Sequence, residues 1–108
     1  MYEGNDHPSD IDMVYIGKDK FLIVGEIKNE QGRLSDGQRR LLQTFVDGWE
    51  AKGIAIYITH DKYTQRGDTD VNVAECYVQE IYYKGRGWTY PKHLTRVKDI
   101  VAYYGGHR

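Results

Sequence analysis

The chain has 108 residues, a formal net charge of −1 and an apolar content of 40%. This length suits a single domain over residues 1–108, and no apolar run approaches the roughly 18 residues of a membrane-spanning helix. The near-neutral charge argues against binding polyanions over the whole surface, so any nucleic-acid contact must be local. The one cysteine, Cys76, can form neither an internal disulfide nor a thiolate cluster. Without a signal-peptide pattern, these features predict a cytoplasmic protein with no membrane association.

The first third of the chain predicts a hairpin of two strands. "DIDMVYI" (10–16) has the two-residue period of a strand. One face carries Asp10, Asp12, Val14 and Ile16, and the other carries Ile11, Met13 and Tyr15. "GKDK" (17–20) then supplies a turn, and "FLIVGEIK" (21–28) forms the antiparallel return strand.

A helix and a buried strand are predicted next. "RLSDGQRRLLQTFVDGWEAKG" (33–53) has Ser35 as a helix N-cap and Gly53 as a stop. Its apolar residues at helical spacing are Leu41, Leu42, Phe45, Val46 and Trp49. "IAIYITHD" (54–61) is rich in β-branched residues and predicts a buried strand. If this strand is parallel to the second hairpin strand, the crossover through the helix is right-handed.

The second half of the chain predicts a loop, another hairpin and a final helix. "KYTQRGDTDV" (62–71) is interpreted as a loop, "VAECYVQEIYY" (73–83) as a strand, "KGRG" as a turn and "WTYP" (88–91) as a short return. "LTRVKDIVAYYGG" (94–106) predicts a helix capped by Thr95 and stopped by Gly105. Its inward face would carry Val97, Ile100, Val101 and Tyr104. The expected fold class is α/β, with a mixed sheet of about four to five strands flanked by helices.

Charged residues within the hairpin suggest a catalytic site. Glu26 and Lys28 are two apart and leave the same face of their strand, and Asp12 is expected across the hairpin near Glu26. Two carboxylates about 4 Å apart repel by about 4 kcal/mol at an effective dielectric constant of 20, which favours a bound cation. The carboxylates of Asp12 and Glu26 and the carbonyl of Ile27 would suit Mg²⁺ or Mn²⁺, while Lys28 would stabilise transition-state charge.

A structural interpretation of the same residues competes with this one. Glu26 and Lys28 could form an ion pair worth no more than about 1 kcal/mol, with Asp12 as an ordinary acid at a strand start. Gln38 likewise has two interpretations, because "SDGQ" (35–38) matches a capping box in which Ser35 and Gln38 bond each other's backbone N–H groups.

The segments "PSDIDMVYI", "LIVGEIK" and "NEQGRLSDGQRRLL" together resemble the PD-(D/E)xK nuclease superfamily, most closely its VRR-type and Holliday-junction resolvase-like members. The resemblance covers residues 8 to 61, roughly half of the chain. It implies a restriction-endonuclease-like core and Mg²⁺- or Mn²⁺-dependent endonucleolytic hydrolysis of DNA. It also implies that Asp12, Glu26 and Lys28 are the metal-binding and catalytic residues, and that Gln38 is an accessory glutamine.

Residues around this motif complete the predicted site. Asp10 is an auxiliary acid, and His7 could contact phosphate, although a loop histidine is more commonly solvated. Basic residues that could bind phosphate are Arg33, Arg39 and Arg40 at the helix entrance, with Lys84 and Arg86 at the later hairpin. The alternative for these side chains is a solvated surface.

The predicted partners are DNA and a second copy of the chain or a larger complex, because a symmetric dimer presents two sites to two strands. A catalytically inactive module of the same fold, binding nucleic acid or protein through its tyrosine-rich hairpin, is the competing hypothesis. The sequence leaves open DNA against RNA, endonuclease against exonuclease, and a role in phage defence, repair or recombination.

Overall fold

The computed structural model describes residues 11–29, 32–60, 65–66 and 70–104, with backbone alone for 65–66 and 70–71. The predicted site residues His7 and Asp10 and the predicted helix stop at Gly105 lie outside the described residues. No helix in the described ranges is long and apolar enough to cross a membrane.

Seven strands and two helices are formed by the described residues. They are β1 (Met13–Ile16), β2 (Leu22–Asn29), α1 (Asp36–Gly48), β3 (Gly53–His60), β4 (Gln65–Arg66), β5 (Asp70–Val71), β6 (Tyr77–Tyr83), β7 (Gly87–Thr89) and α2 (Val97–Tyr104). Five strands build one sheet in the order β1-β2-β3-β6-β7, in which β2 and β3 are parallel and the other neighbours antiparallel. The predicted α/β class and mixed sheet are confirmed, and β2 and β3 are parallel, which the sequence had left open.

The sheet buries both faces, each under one helix. Under α2 lies a cluster of Ile23, Ile54, Ile56, Ile58, Cys76, Val78, Ile81, Val97 and Ile100. Under α1 lies a second cluster of Leu22, Val24, Leu34, Leu42, Val46, Ala55, Tyr57 and Tyr82. Burial on both faces explains why β2 and β3 read as continuous apolar runs.

The ends of α1 follow local chemistry. Both bonds of the predicted capping box are present, since the Gln38 N–H donates to Ser35 Oγ at 3.1 Å and the Ser35 N–H donates to Gln38 Oε1 at 2.9 Å. The helix ends at Gly48, before the predicted stop at Gly53. Trp49 leaves helical geometry with ψ 142°, and its indole N–H donates to the carbonyl of Lys20 at 2.6 Å, which ties the chain to the β1–β2 turn.

Three further predictions are corrected. Residues 65–66 and 70–71 form a two-stranded ladder inside the stretch predicted as a loop. Thr95 does not cap α2: its hydroxyl donates to the carbonyl of His93, while the Asp99 carboxylate accepts the Arg96 N–H at 3.1 Å. The third correction concerns β1, in which only Met13 to Ile16 alternate as predicted, because Ile11 packs against the α1 cluster and Met13 and Tyr15 against the α2 cluster.

Candidate functional site

Glu26 is a buried carboxylate near the end of β2. Leu22, Val24 and Glu26 alternate along one face of this strand, and that face lies under α1. Glu26 is only 6% exposed, next to the first turn of the helix. An ionised carboxylate in such a place needs hydrogen bonds or an opposite charge. The structure supplies both.

Gln38 holds Glu26 from the helix side. The Gln38 side-chain amide donates to Glu26 Oε2 at 3.1 Å, while its oxygen accepts the Ser35 N–H. The two interpretations of Gln38 are therefore compatible, since one end of the amide caps α1 and the other orients the carboxylate. The glutamine is itself buried, so this orientation is fixed by packing as well as by hydrogen bonds.

Lys28 supplies positive charge beside the same carboxylate. Its Nζ lies 4.0 Å from Glu26 Oε2, which is an ion-pair distance and longer than a hydrogen bond. The lysine side chain is partly exposed while that of Glu26 is buried. The ammonium group therefore lies between the buried acid and solvent, where it can also contact an anionic ligand.

Asp12 is held at the edge of the sheet by the backbone of β2. Its backbone N–H donates to the Gly25 carbonyl at 3.0 Å, and its Oδ2 accepts the Ile27 N–H at 2.8 Å. Asp12 is thus bound to β2 on both sides of Glu26. Its predicted place on the face of Val14 is not realised, because the alternation of β1 begins only at Met13 and the carboxylate replaces a ladder bond to Ile27.

These residues provide a donor set of the right chemistry for a hard divalent cation. The two carboxylates of Asp12 and Glu26 belong to adjacent segments, and the Ile27 carbonyl belongs to the residue whose N–H Asp12 binds. The described residues contain no group of three or more His, Cys, Asp or Glu side chains suited to a metal. Solvent or substrate oxygens would have to complete the coordination, as is usual for Mg²⁺.

A third acid, Glu80, which the sequence analysis missed, lies two strands away from Glu26. Tyr57 is opposite Glu26 and Glu80 is opposite Tyr57, so the three residues form a row across β2, β3 and β6. Glu80 accepts two bonds of 2.9 Å from Arg39, whose guanidinium also lies 5.1 Å from the centre of the Trp88 ring. The signal was a charged residue inside the apolar run "YVQEIYY".

This pair changes the electrostatics of the row. The hydrogen bond to Glu80 raises the pKa of Arg39, which therefore stays charged. Burial raises the pKa of the Tyr57 hydroxyl, and the charge of Glu80 raises it further against the opposing effect of Arg33 and Arg39. The Tyr57 hydroxyl accordingly acts as a neutral donor, to the Gly32 carbonyl at 2.8 Å.

The structure separates the predicted basic residues into two groups. Arg33 is exposed and near Tyr57, and Arg39 is bound to Glu80. Arg40 is exposed on the side of α1 that faces away from the sheet, because it follows the buried Gln38 by two residues. Lys84 donates to the Trp49 carbonyl at 2.8 Å, at the far end of α1. Arg86 lies in the turn after Lys84, so neither residue flanks the carboxylates.

A cleft of about 330 Å³ extends the site past Tyr57. Thr59, His60, Tyr77, Gln79 and Tyr90 complete its lining with Tyr57 and Glu80. The Nδ1 atom of His60 is buried and has no hydrogen-bond partner among the residues that the structure describes. This cleft lies on the side of Tyr57 away from Glu26.

We compared the chain with known protein families, with curated proteins and with solved structures. None of these comparisons found a match.

Proposed function

We propose that this chain is a Mg²⁺- or Mn²⁺-dependent nuclease that hydrolyses DNA phosphodiester bonds as an endonuclease. The observation that carries the proposal is the buried carboxylate of Glu26, oriented by Gln38, with the Lys28 ammonium group at 4.0 Å. Burying an acid beside a partly exposed lysine gains little stability, because desolvation of the acid offsets their attraction. A ligand that uses both charges gives the arrangement a function.

Each residue has a role that follows from its position. Asp12, Glu26 and the Ile27 carbonyl would hold the cation, which when bound supplies positive charge to the scissile phosphate and lowers the pKa of water. Lys28, at the solvent side of Glu26, would bind a phosphate oxygen or position the attacking water as negative charge develops. Gln38 keeps the Glu26 carboxylate in one orientation, which avoids a reorganisation cost during the reaction.

The test is cleavage of end-labelled linear duplex, single-stranded and four-way-junction DNA in Mg²⁺ or Mn²⁺. We expect Glu26→Gln and Lys28→Met each to reduce the cleavage rate by at least about 100-fold. The matched control is Glu50→Gln with Lys20→Met, which removes an exposed ion pair of 2.7 Å at the other end of β2. Cation binding, followed by the Mn²⁺ electron paramagnetic resonance signal, should weaken in Asp12→Asn and not in the control variants.

Folded wild-type protein that cleaves none of these substrates in either cation would contradict the proposal. Equal cleavage by wild type and Glu26→Gln would contradict the assignment of Glu26.

A second candidate is a binding module that keeps this site without hydrolysis. It is favoured by the hydrogen bonds that the site already makes, because Asp12 Oδ2 bonds the Ile27 N–H and Glu26 Oε2 bonds Gln38. Such a module should bind nucleic acid or protein equally well with a chelator present. A catalytic site should bind DNA more tightly when Ca²⁺, which commonly supports binding without cleavage, replaces the chelator.

A further inference from the structure

An apolar surface lies where β1 meets one flank of α1. Val14 and Ile16 pair with Val24 and Leu22, so they share the sheet face that α1 covers. They are nevertheless 60% and 52% exposed. The helix therefore stops short of β1 and leaves two β-branched residues in solvent.

The geometry of α1 shows which helical residues border this gap. Arg39, Gln43 and Asp47, spaced by four, bond Glu80, Trp88 and Tyr82 on β6 and β7. Leu41 and Phe45 project from the opposite flank of the helix. Because β1 is at the opposite edge of the sheet from β7, that flank is turned towards β1.

Phe45 is 47% exposed, although it belongs to the apolar stripe of the helix. We call the four residues Val14, Ile16, Leu41 and Phe45 the edge patch. Val14, Ile16 and Phe45 are exposed and Leu41 is half-buried. Exposed apolar side chains grouped on one side of a molecule mark interaction sites in soluble proteins.

The same edge offers unpaired backbone groups. β1 has β2 on one side and no strand on the other among the described residues. The Gly17 N–H donates to the Phe21 carbonyl at 2.8 Å, so odd-numbered residues of this strand bond β2 and the backbone groups of Val14 and Ile16 point outward. Proteins usually protect such an edge with lysine, proline or a bulge, and β1 has neither lysine nor proline.

We propose that the edge patch is the interface of a homodimer in which β1 pairs antiparallel with β1 of a second copy about a two-fold axis at Tyr15. This register sets Val14 opposite Ile16 of the other copy and joins the two outward-facing sets of backbone groups. Asp12 precedes β1 and Lys18 follows it, so antiparallel pairing brings opposite charges together at both ends. The surface is thus complementary to itself in apolar character, hydrogen bonding and charge, as a two-fold interface requires.

The dimer would join two five-stranded sheets into one sheet of ten strands. The two edge patches then meet in the gap between the two copies of α1 and bury the apolar side chains that each monomer exposes. Asp12 lies at this junction, so the two candidate sites would be at the interface on opposite sides of the axis. The prediction about assembly does not depend on the proposed cleavage of DNA.

The first test is sedimentation equilibrium of the full chain over a concentration series, with a chelator and without DNA. Val14→Lys with Ile16→Lys places like charges opposite each other, and we expect the dimer dissociation constant to rise at least about tenfold. The control is Leu94→Lys with Tyr103→Lys, which changes two exposed apolar residues outside the patch and should leave the constant unchanged. All four positions are exposed, so neither double variant removes buried packing.

The second test uses cross-linking to locate the axis. Residues facing each other across the axis in a non-hydrogen-bonded pair have Cα atoms about 4.5 Å apart, which permits a disulfide. Tyr15→Cys should therefore cross-link two copies on oxidation. Val14→Cys should not, because the two residues 14 are diagonal neighbours across the strand pair, with Cα atoms about 7–8 Å apart. The wild-type protein, whose native Cys76 is buried, is the control and should not cross-link under the same conditions.

A wild-type protein that is monomeric throughout the concentration series would overturn the proposal. A dimer that the lysine variant leaves intact would assign assembly to another surface and would overturn it equally. Cross-linking through residue 14 and not 15 would reject the axis at Tyr15.

Discussion

Gln38 connects the start of a helix to a buried acid. Its carbonyl oxygen completes the capping box with Ser35, and its NH₂ group donates to Glu26. A glutamic acid at this position could still accept the Ser35 N–H but would set a second negative charge against Glu26. The capping and orienting functions of the side chain can therefore be separated by substitution.

We predict that Gln38→Glu lowers the free energy of unfolding by about 2 kcal/mol at neutral pH, since a hydrogen bond to a charged group becomes a repulsion. Ser35→Ala, which removes one bond of the cap and leaves the Glu26 bond in place, should cost about 1 kcal/mol. Urea denaturation of the two variants measures the difference. Gln38→Glu being as stable as wild type would mean that the Gln38–Glu26 bond contributes nothing to folding.

Among its elements, α1 is held to β6 and β7 by a row of polar contacts along one flank and to β2 by the Gln38–Glu26 hydrogen bond. Arg39 and Glu80 form a partly buried bidentate pair, and Arg39 packs on Trp88. Such planar pairs combine charge with directional hydrogen bonds. This flank therefore sets the lateral position of the helix over β3 and β6, which leaves β1 uncovered.

We predict that Arg39→Ala and Glu80→Ala each destabilise the fold by about 2 kcal/mol, and that a double-mutant cycle gives a coupling energy of about 1–2 kcal/mol. The pair Lys20–Glu50 is the control, because its 2.7 Å contact is exposed and its coupling energy should stay below about 0.5 kcal/mol. The measurement is chemical denaturation at moderate ionic strength. Equal coupling energies for the two pairs would refute the anchoring role.

For the molecule as a whole, three buried or half-buried tyrosines make stability sensitive to alkaline pH. Burial is the main cause of the raised pKa of Tyr57, Tyr82 and Tyr104, with further contributions from Glu80, Asp47 and Tyr83 respectively. A raised folded-state pKa means that the fold favours the neutral phenol. The corresponding stability is fully present below the unfolded pKa of about 10 and is lost as the pH rises through the folded pKa.

We therefore predict that the free energy of unfolding falls above about pH 10, because these tyrosines lose their protons more readily in the unfolded chain than in the fold. Tyr82→Phe should make this fall less steep, although loss of the 2.8 Å bond to Asp47 lowers stability at every pH. Tyr90→Phe, at an exposed position, should leave the slope unchanged. The measurement is urea unfolding of wild type, Tyr82→Phe and Tyr90→Phe at several pH values from neutral to above pH 10. Identical dependence of the free energy of unfolding on pH in wild type and Tyr82→Phe would contradict the prediction.

Patterns within single elements predicted most of the elements and much of their burial. Alternation in 13–16, the apolar runs of β2 and β3 and the Ser35–Gln38 capping box are local patterns, because each is set by residues within one element or turn. Glu26 and Lys28 share a strand face for the same reason. These features were therefore predictable before any strand order was known.

Contacts between residues of different elements could not be predicted in this way, because they depend on strand order and helix placement. The Arg39–Glu80 pair, the place of Lys84 at the far end of α1 and the bond from Asp12 to Ile27 all join residues that are distant in sequence. Phe45 shows the limit most clearly, since its helical spacing predicts burial while the lateral position of α1 leaves it exposed beside β1. Periodicity determines which face of its helix or strand a side chain lies on. Strand order and helix placement determine which residues that side chain contacts.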